Sequence, residues 1–192
     1  MPHHRILLTG ANGFLGSHIL KQLLDYPNVS VRAVVRSASK VEAVKNDFSG
    51  YDNLDFAVVP DITAPKAFHK ALTSSDVPFD LVVHSASPFL YKAISNNRDF
   101  LDPAVNGTTE ILRSVQAVAP NVKRVVITSS FASVADLPHP EKIAGKTFVD
   151  DDWNPITWEE ALNATDKGVP YQGSKTFAEV SSRSRYRTID LG

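Results

Sequence analysis

Short apolar runs alternate with segments of helical periodicity along most of the chain. The apolar runs have the length of buried strands, and we predict strands at Arg5–Gly10, Val31–Arg36, Leu54–Pro60, Asp80–Ala86 and Lys123–Ser130. Apolar residues at helical spacing predict helices at Phe14–Tyr26 and Ser39–Phe48. A proline at the first position indicates a short helix at Pro65–Leu72, and further helices are predicted at Asn97–Ala119 and Tyr171–Val180. Pro103 and Gly107 are expected to interrupt the longest of these helices.

Strands that are joined by helices imply a parallel sheet, because a helical crossover returns the chain to the same direction. We therefore predict an α/β fold with a doubly wound Rossmann-type sheet, and we expect the strand order 3-2-1-4-5 by analogy with that fold. Residues 1–180 are predicted to form one dinucleotide-binding domain, followed by an atypical polar tail at 181–192. The fifth strand, with its run VVIT, is expected to leave an apolar sheet edge open.

The composition narrows the classes of function. The formal net charge is −1, so no global field attracts nucleic acid or an anionic membrane, and we expect neither as a partner. The absence of cysteine excludes disulfides and thiolate zinc sites, and we expect no metal site. The N-terminal MPHHRILLTG lacks the pattern of a signal peptide, and no apolar run has the length of a membrane span. These features favour a cytoplasmic protein.

A glycine-rich segment, TGANGFLG, joins the first predicted strand to the first helix. Its glycines Gly10, Gly13 and Gly16 are three residues apart. The first would permit a tight turn, the second would let a pyrophosphate approach the backbone, and the third would let the helix lie close to the sheet. The helix N-terminus offers free N–H groups to the phosphates. The motif also fits a turn that binds nothing, but its place in the first βα unit favours a dinucleotide site.

The end of the second predicted strand carries a cation where an NAD site carries an acid. An acidic residue there binds the adenosine ribose, whereas an arginine can accept the 2′-phosphate of NADP. Arg36 ends this strand and Lys40 follows one helical turn later, which favours NADP(H), although both also fit a solvated surface. Asp61 and Ile62 follow the third strand and fit an adenine contact; for Asp61 a turn or helix cap is an equal alternative.

The segment YQGSK places Tyr171 and Lys175 four residues apart, on one face of the predicted helix. An unperturbed phenol, with a pKa of about 10, is a poor acid at neutral pH, but a neighbouring ammonium stabilises the phenolate. Tyr171 could then donate a proton to a carbonyl oxygen, while Lys175 also binds the nicotinamide ribose. A serine at the end of strand five would orient that oxygen. Strand alternation allows only one of Ser129 and Ser130 to face the site, and we favour Ser130.

In their order, these motifs resemble the extended short-chain dehydrogenases/reductases of the NAD-dependent epimerase/dehydratase superfamily. The resemblance rests on TGANGFLGSHI, HSASP, VNGT, RVVITSS and YQGSK, and it is greatest to the dihydroflavonol-reductase-like branch with fungal methylglyoxal and aldehyde reductases. It implies NADPH-dependent reduction of a small aldehyde or ketone, with Ser130, Tyr171 and Lys175 as catalytic residues. The expected cofactor-binding residues are Gly10, Asn12, Gly13, Phe14, Leu15, Gly16, Arg36, Lys40, Asp61, Ile62, Tyr171 and Lys175.

Other residues in or near these motifs have two interpretations each. Asn106, in VNGT, matches a family asparagine that is either structural or part of a proton relay. For His84, in HSASP, we prefer a packed histidine near the cofactor to an acid/base role. Four aromatic or apolar residues fit either a substrate wall or the core, and we prefer the core for at least half of them: Phe89, Leu90, Tyr91 and Phe131.

The chain is shorter than this resemblance implies. Family members continue beyond the Tyr–Lys helix, so we expect a C-terminally truncated form whose substrate lobe is largely missing, with little reductase activity from the 192 residues alone. Three interpretations stay open: a carbonyl reductase, a nucleotide-sugar epimerase or dehydratase, and a non-catalytic dinucleotide-binding fragment. Arg36 and HSASP favour the first over the second, and the short tail supports the third.

Overall fold

The chain forms two compact units, the first of which contains the sheet with its helices. The computed structural model describes residues 3–74, 77–87 and 96–186, with side chains as far as residue 183. Of these residues, the first unit contains those up to 86 together with residues 110–128, and the second contains residues 87–109 and 129–186. The dinucleotide-binding domain that the sequence predicts at 1–180 therefore spans both units.

The first unit contains a parallel sheet. Its strands are β1 (His4–Thr9), β2 (Val29–Val35), β3 (Leu54–Val58), β4 (Leu81–His84) and β5 (Arg124–Ile127). Their order is β3-β2-β1-β4-β5, and every pairing is parallel. This confirms the predicted α/β class and strand order. β5 lies at one edge of the sheet, where Val126 is 42% exposed, as the run VVIT led us to expect.

The register of the sheet brings the ends of three strands together. Thr9 of β1 pairs with Val34 of β2 and with His84 of β4. The residues that follow these strands, among them Gly10 and Arg36, therefore lie along one edge of the sheet. This is the carboxyl edge, at which parallel α/β sheets bind their ligands.

The core of the first unit lies between the central strands and two helices. Helix α1 (Phe14–Leu24) buries Leu20 and Leu24, and helix α2 (Ala38–Asp47) buries Val44. They join a cluster of buried apolar residues that also contains Ile6, Leu8, Ala11, Val29, Val31, Ala33, Val35 and Val83. Burial of each large apolar side chain contributes about 1.5–3 kcal/mol. The cluster therefore holds α1 and α2 against the strands, and with them the turns that connect strand to helix.

The helix predicted from Pro65 begins later, as α3 (His69–Leu72). Lys66 has a φ of 63°, a left-handed conformation that a right-handed helix does not include. The predicted helix is present, but its predicted start was wrong, because a proline that suits the first turn of a helix also suits the second position of a turn.

Helix α4 (Arg98–Val118) continues through Pro103 and Gly107, where the sequence predicted an interruption. A proline inside a helix costs about 3 kcal/mol, because it removes one hydrogen bond and crowds the preceding turn. Large apolar side chains are buried both before and after it, including Leu101 and Ile111. Their burial offsets the cost of the proline, so the helix remains continuous.

Short helices occupy the polar stretch that precedes Tyr171. They are a 3₁₀ turn (Phe131–Ser133), α5 (Pro140–Ile143) and α6 (Trp158–Asn163), and the long helix α7 (Gly168–Tyr186), which carries Tyr171, follows them. Helix α6 begins with a capping box, in which the Glu160 N–H donates to the Thr157 hydroxyl at 3.2 Å and the Thr157 N–H donates to the Glu160 carboxylate at 2.7 Å.

Helix α7 is longer at both ends than the sequence predicted, and its last residues 181–186 lie in the expected polar tail. Arg183 packs there rather than projecting freely: its guanidinium lies 4.7 Å from the centre of the Trp153 ring and donates to the Asp150 carbonyl at 2.7 Å. Arginine can pack in this way because its stem is aliphatic and its planar guanidinium stacks on an aromatic ring. Among the described residues, no helix combines the length and apolar character that crossing a membrane requires.

Candidate active site

The glycine-rich turn follows β1 and leads directly into α1. Gly10 has a φ of 72°, and a Cβ atom on it would lie 2.8 Å from the Ala86 nitrogen. A Cβ atom on Gly16 would lie only 2.0 Å from the Gly10 carbonyl oxygen. No side chain larger than hydrogen fits at either position, so these glycines hold the N-terminus of α1 against the end of β1.

The N-terminus of α1 faces solvent. Gly13 caps the helix, its N–H donates to the Gly10 carbonyl at 2.9 Å, and Asn12, Phe14 and Leu15 are all exposed. The first N–H groups of a helix have no acceptor within the helix, and no side chain caps this end of α1 with a hydrogen bond. The turn therefore fits a pyrophosphate, which needs uncovered backbone donors and close approach to the chain.

Two cations stand at the start of the second βα unit. Arg36 directly follows β2, Lys40 lies in the first turn of α2, and both side chains are exposed. The first turn of α2 contains no acidic residue, and the helix dipole adds positive charge at this end. This charge distribution fits a 2′-phosphate better than a ribose diol, which an acidic residue would bind.

Asp61 closes the turn that follows β3. Its Oδ1 accepts from the Thr63 hydroxyl at 2.7 Å and from the Thr63 N–H at 2.8 Å. These bonds hold the pKa of Asp61 below its ordinary value. The turn role that the sequence weighed for Asp61 is thus present, and Ile62 beside it is half-buried. The adenine contact of these two residues stays a prediction.

Tyr171 and Lys175 lie one turn apart on α7, as their spacing predicted. The Lys175 ammonium is 5.8 Å from the centre of the Tyr171 ring, and both side chains are half-buried. Burial lowers the pKa of Lys175 from its ordinary value. A cation at this distance stabilises a phenolate once the phenol has given up its proton, so the pair is suited to proton donation.

Gly173, between these two residues, lets α7 lie directly on α6. A Cβ atom on Gly173 would lie 2.6 Å from the Ala161 Cβ. Ala161 is fully buried, and the Trp158 ring packs 5.1 Å from the Phe177 ring at the same helix contact. The glycine of YQGSK is therefore a packing residue that fixes the helix carrying the Tyr–Lys pair.

Ser130 precedes the 3₁₀ turn and caps it. Its hydroxyl accepts from the Ala132 N–H at 3.2 Å, and its carbonyl accepts from the Ser133 N–H at 3.0 Å. Because the hydroxyl is an acceptor here, its own hydrogen is left to donate to a carbonyl oxygen. β5 ends at Ile127, so strand alternation does not distinguish Ser130 from Ser129, and that argument was wrong.

Ser129 is bound by a residue that sequence reasoning missed, Glu179. The Ser129 hydroxyl donates to Glu179 Oε2 at 2.5 Å, and the Ser133 hydroxyl lies 2.7 Å from the same oxygen. Burial raises the pKa of Glu179, but the two hydroxyls and Arg183 together outweigh burial, and the pKa lies below its ordinary value. Glu179 follows Lys175 by four residues, and this helical spacing was the available signal.

A second missed residue, Asn154, ties the 3₁₀ turn to α7. Its buried side-chain amide donates to the carbonyls of Ala135 at 2.8 Å and Ala132 at 3.0 Å, and lies 3.1 Å from Gln172 Oε1. Its backbone N–H donates to the Ser133 carbonyl at 2.9 Å. No motif or periodicity in the polar stretch pointed to this asparagine.

His84 is the packed histidine that the sequence favoured. It is buried at the end of β4, with Nδ1 2.9 Å from the Thr9 hydroxyl and the Phe68 ring edge-on at 5.9 Å. In the described part of the chain, no group of three histidine or carboxylate side chains is arranged to hold a metal ion.

Two further sequence candidates lie on the surface. Asn106 is exposed on α4. Phe131 is 56% exposed and packs edge-on against the Phe148 ring at 5.2 Å, so it is not a core residue. The other aromatic and apolar candidates lie outside the described residues: Phe89, Leu90 and Tyr91.

A parallel sheet with a glycine-rich βα turn, together with a helix that carries Tyr171 and Lys175, defines the class of extended short-chain dehydrogenases/reductases. The chain belongs to the NAD dependent epimerase/dehydratase family, whose model matches residues 6–157.

The chain is similar to several reductases. A ketoreductase of Aspergillus niger is 41% identical over 180 residues, which are 91% of this chain and 50% of the relative. The NADPH-dependent methylglyoxal reductase of Saccharomyces cerevisiae is 39% identical over 180 residues, 92% of this chain and 51% of the relative. The crystal structure of yeast methylglyoxal/isovaleraldehyde reductase with NADPH superposes with a TM-score of 0.85 at 35% identity, covering 96% of this chain and 53% of that one. The chain thus spans about half the length of the curated relatives it matches.

Proposed function

We propose that this chain supplies the cofactor-binding and proton-donating part of an NADPH-dependent oxidoreductase that reduces a small aldehyde or ketone to the alcohol. The observation that carries the proposal is the Lys175 ammonium beside the half-buried Tyr171 ring, at 5.8 Å, in the same unit as Ser130. The names of the relatives, a ketoreductase and a methylglyoxal reductase, support the carbonyl as substrate.

Bound at the carboxyl edge of the sheet, NADPH would supply the hydride that reduces the carbonyl carbon. The turn from Gly10 to Gly16 would hold the pyrophosphate, because no side chain caps the N-terminus of α1 and its first residues are exposed. Arg36 and Lys40 would hold the 2′-phosphate, and the relative that is structurally similar was crystallised with NADPH. A nucleotide-sugar epimerase with NAD ranks second, because an acidic residue would be expected in place of Arg36.

The three proposed catalytic residues have different roles in the reduction of the carbonyl group. The Ser130 hydroxyl donates a hydrogen bond to this oxygen and orients it. Tyr171 transfers its phenolic proton to the oxygen as the carbon is reduced, which completes the alcohol. The Lys175 ammonium stabilises the phenolate that remains, until solvent restores the proton. We propose a cytoplasmic location for this reaction, supported by the lack of cysteine.

The variant Tyr171→Phe tests the proton donor. The ring still packs and only the proton is lost, so we expect kcat to fall by about 10²–10⁴ while the Kd for NADPH changes by less than about twofold. Binding is measured by NADPH fluorescence on the 192-residue chain. Since the chain spans half the length of its relatives, oxidation of NADPH with methylglyoxal is measured on the chain joined to the C-terminal half of the Saccharomyces cerevisiae reductase.

Tyr26→Phe is the matched control, because Tyr26 is 60% exposed in the turn after α1, and it should change neither measurement. Lys175→Ala should lower both turnover and NADPH affinity, since we assign two roles to Lys175. Near-normal turnover by Tyr171→Phe would contradict the mechanism. A wild-type protein that binds NADPH without turnover would support the non-catalytic interpretation instead.

A further inference from the structure

We propose that Glu179 is a positioning residue for this reaction. It binds the two serines that flank Ser130 on either side, Ser129 and Ser133, and so holds the segment that carries Ser130 against α7. The inference rests on the function proposed above, because it assigns a role relative to the Ser130 hydroxyl and Tyr171.

One carboxylate oxygen makes both contacts. Glu179 Oε2 accepts from the Ser129 hydroxyl at 2.5 Å and lies 2.7 Å from the Ser133 hydroxyl oxygen. The Ser133 hydroxyl also lies 2.7 Å from the Ser130 carbonyl oxygen, so its single hydrogen is shared between two acceptors. The backbone of Ser130 is therefore held by the preceding Ser129 and by Ser133, which bonds its carbonyl, and Glu179 is the partner common to these two serines.

The second carboxylate oxygen anchors Glu179 itself. Arg183 donates to Oε1 at 3.1 Å, and the same guanidinium donates to the Asp150 carbonyl and lies over the Trp153 ring. With both oxygens bound and the side chain half-buried, the carboxylate is restrained from two sides. Because Glu179 belongs to α7, its bonds to Ser129 and Ser133 fix the 3₁₀ turn relative to this helix.

The chemistry of the contacts requires a carboxylate. Both serine hydroxyls act as donors, and an ionised carboxylate is a side chain that accepts from two donors without offering one in return. Hydroxyl-to-carboxylate bonds are typically about 2.5–2.7 Å long, and both contacts lie at that length. An amide at this position would lose the charge and would present one of its own donors to the cluster.

The position of Glu179 on α7 gives these contacts a catalytic consequence. Tyr171, Lys175 and Glu179 are spaced by four residues on one continuous helix. The distance between the Ser130 hydroxyl and the Tyr171 phenol therefore depends on the contact between the 3₁₀ turn and α7. A displacement of about 1 Å can cost about a hundredfold in rate, because both groups must reach the same carbonyl oxygen.

Amide hydrogen exchange on the 192-residue chain tests the positioning directly. In Glu179→Gln we expect the amides of Ala132 and Ser133, which are bonded to Ser130, to exchange about tenfold faster, the effect of weakening one charge-assisted bond. Glu159→Gln is the matched control, since Glu159 is exposed on α6, and exchange there should equal that of the wild type. If Glu179→Gln does not fold, Ser129→Ala removes the shorter bond and carries the same expectation.

Turnover separates positioning from packing. In the protein joined to the C-terminal half of the yeast relative, Glu179→Gln should lower kcat about tenfold or more, with the KM for methylglyoxal and the Kd for NADPH within about twofold. Combining it with Ser129→Ala should add little to that loss, because both changes break the same bond.

The outcomes are distinguishable. Unchanged exchange at Ala132 and Ser133 overturns the inference and leaves the proposed function standing, provided that turnover still depends on Tyr171. Faster exchange with an unchanged kcat reduces Glu179 to a packing role and also overturns the inference. Wild-type turnover that does not depend on Tyr171 contradicts the proposed function, and the positioning role with it.

Discussion

The arginines of the first unit have different partners, and this separates a structural role from a binding role. Arg5 and Arg32 both pair with Asp55, and each lies 5.3 Å from the centre of the Phe79 ring. Arg36 is instead exposed at the carboxyl edge of the sheet, one residue past β2. An exposed arginine in this position can give a phosphate the planar, two-point contact that a guanidinium provides.

Arg36→Asp should convert the cofactor preference of the 192-residue chain. It removes a cation and places a carboxylate beside the 2′-phosphate, so we expect the affinity for NADPH to fall about tenfold or more. The affinity for NADH should stay the same or rise, since NADH lacks that phosphate. Fluorescence titration with both cofactors measures the two affinities.

Arg113→Asp is the control for Arg36→Asp. It makes the same change of charge at an exposed position on α4 and should leave both affinities unchanged. Equal losses for NADPH and NADH in the Arg36 variant would show that Arg36 does not contact the 2′-phosphate.

At the level of elements, each correct prediction had a strong local signal. Gly10 and Gly16 predicted the first βα turn, and the structure allows no Cβ atom at either. The start of α6 also had a signal, the spacing Thr157–Glu160 of a capping box. It did not lead to a predicted helix, because the residues around it are polar and show no apolar periodicity. The continuity of α4 through Pro103 had none, because it depends on burial that periodicity alone does not measure.

Gly16→Ala should loosen the contact between α1 and the end of β1. The new methyl group would lie 2.0 Å from the Gly10 carbonyl oxygen, which is backbone, so the helix must move. We expect a loss of about 1–3 kcal/mol in the free energy of unfolding, measured by denaturant titration, together with weaker NADPH binding. The binding loss follows because the uncovered N–H groups belong to the displaced helix end.

Gly50→Ala serves as the comparison for Gly16→Ala. A Cβ atom on Gly50 would have nothing within 4 Å. The free energy of unfolding of the Gly50→Ala variant should therefore equal that of the wild type or exceed it by up to about 1 kcal/mol. Wild-type stability in Gly16→Ala would mean that α1 does not pack this closely on the turn.

For the whole molecule, the sheet was predictable and the second unit was not. Parallel strands joined by crossovers leave few possible orders, so the alternation of patterns was enough for the first unit. The second unit depends on hydrogen bonds between distant segments. Ser129 and Glu179 are 50 residues apart, and Asn154 reaches Gln172 across 18. Motifs identified Ser130, Tyr171 and Lys175 as candidates, but no local pattern records the residues that hold them in place.

NADPH should stabilise both units of the 192-residue chain, and the two can be followed separately. Both tryptophans, Trp153 and Trp158, belong to the second unit, so their fluorescence reports its unfolding, whereas circular dichroism reports the whole chain. At a hundred times its Kd, a ligand adds about 2.7 kcal/mol, which for a chain of this size raises the Tm by about 5–11 °C. We expect this rise in both melting curves, because we propose that the pyrophosphate turn and Lys175 each bind the cofactor. NADH at the same concentration should give a smaller rise, and Arg36→Asp should remove the difference between the cofactors. If the Tm measured by circular dichroism rises while the Tm measured by tryptophan fluorescence does not, Lys175 does not bind the cofactor. Equal increases in Tm with NADPH and NADH would contradict the preference for NADP(H).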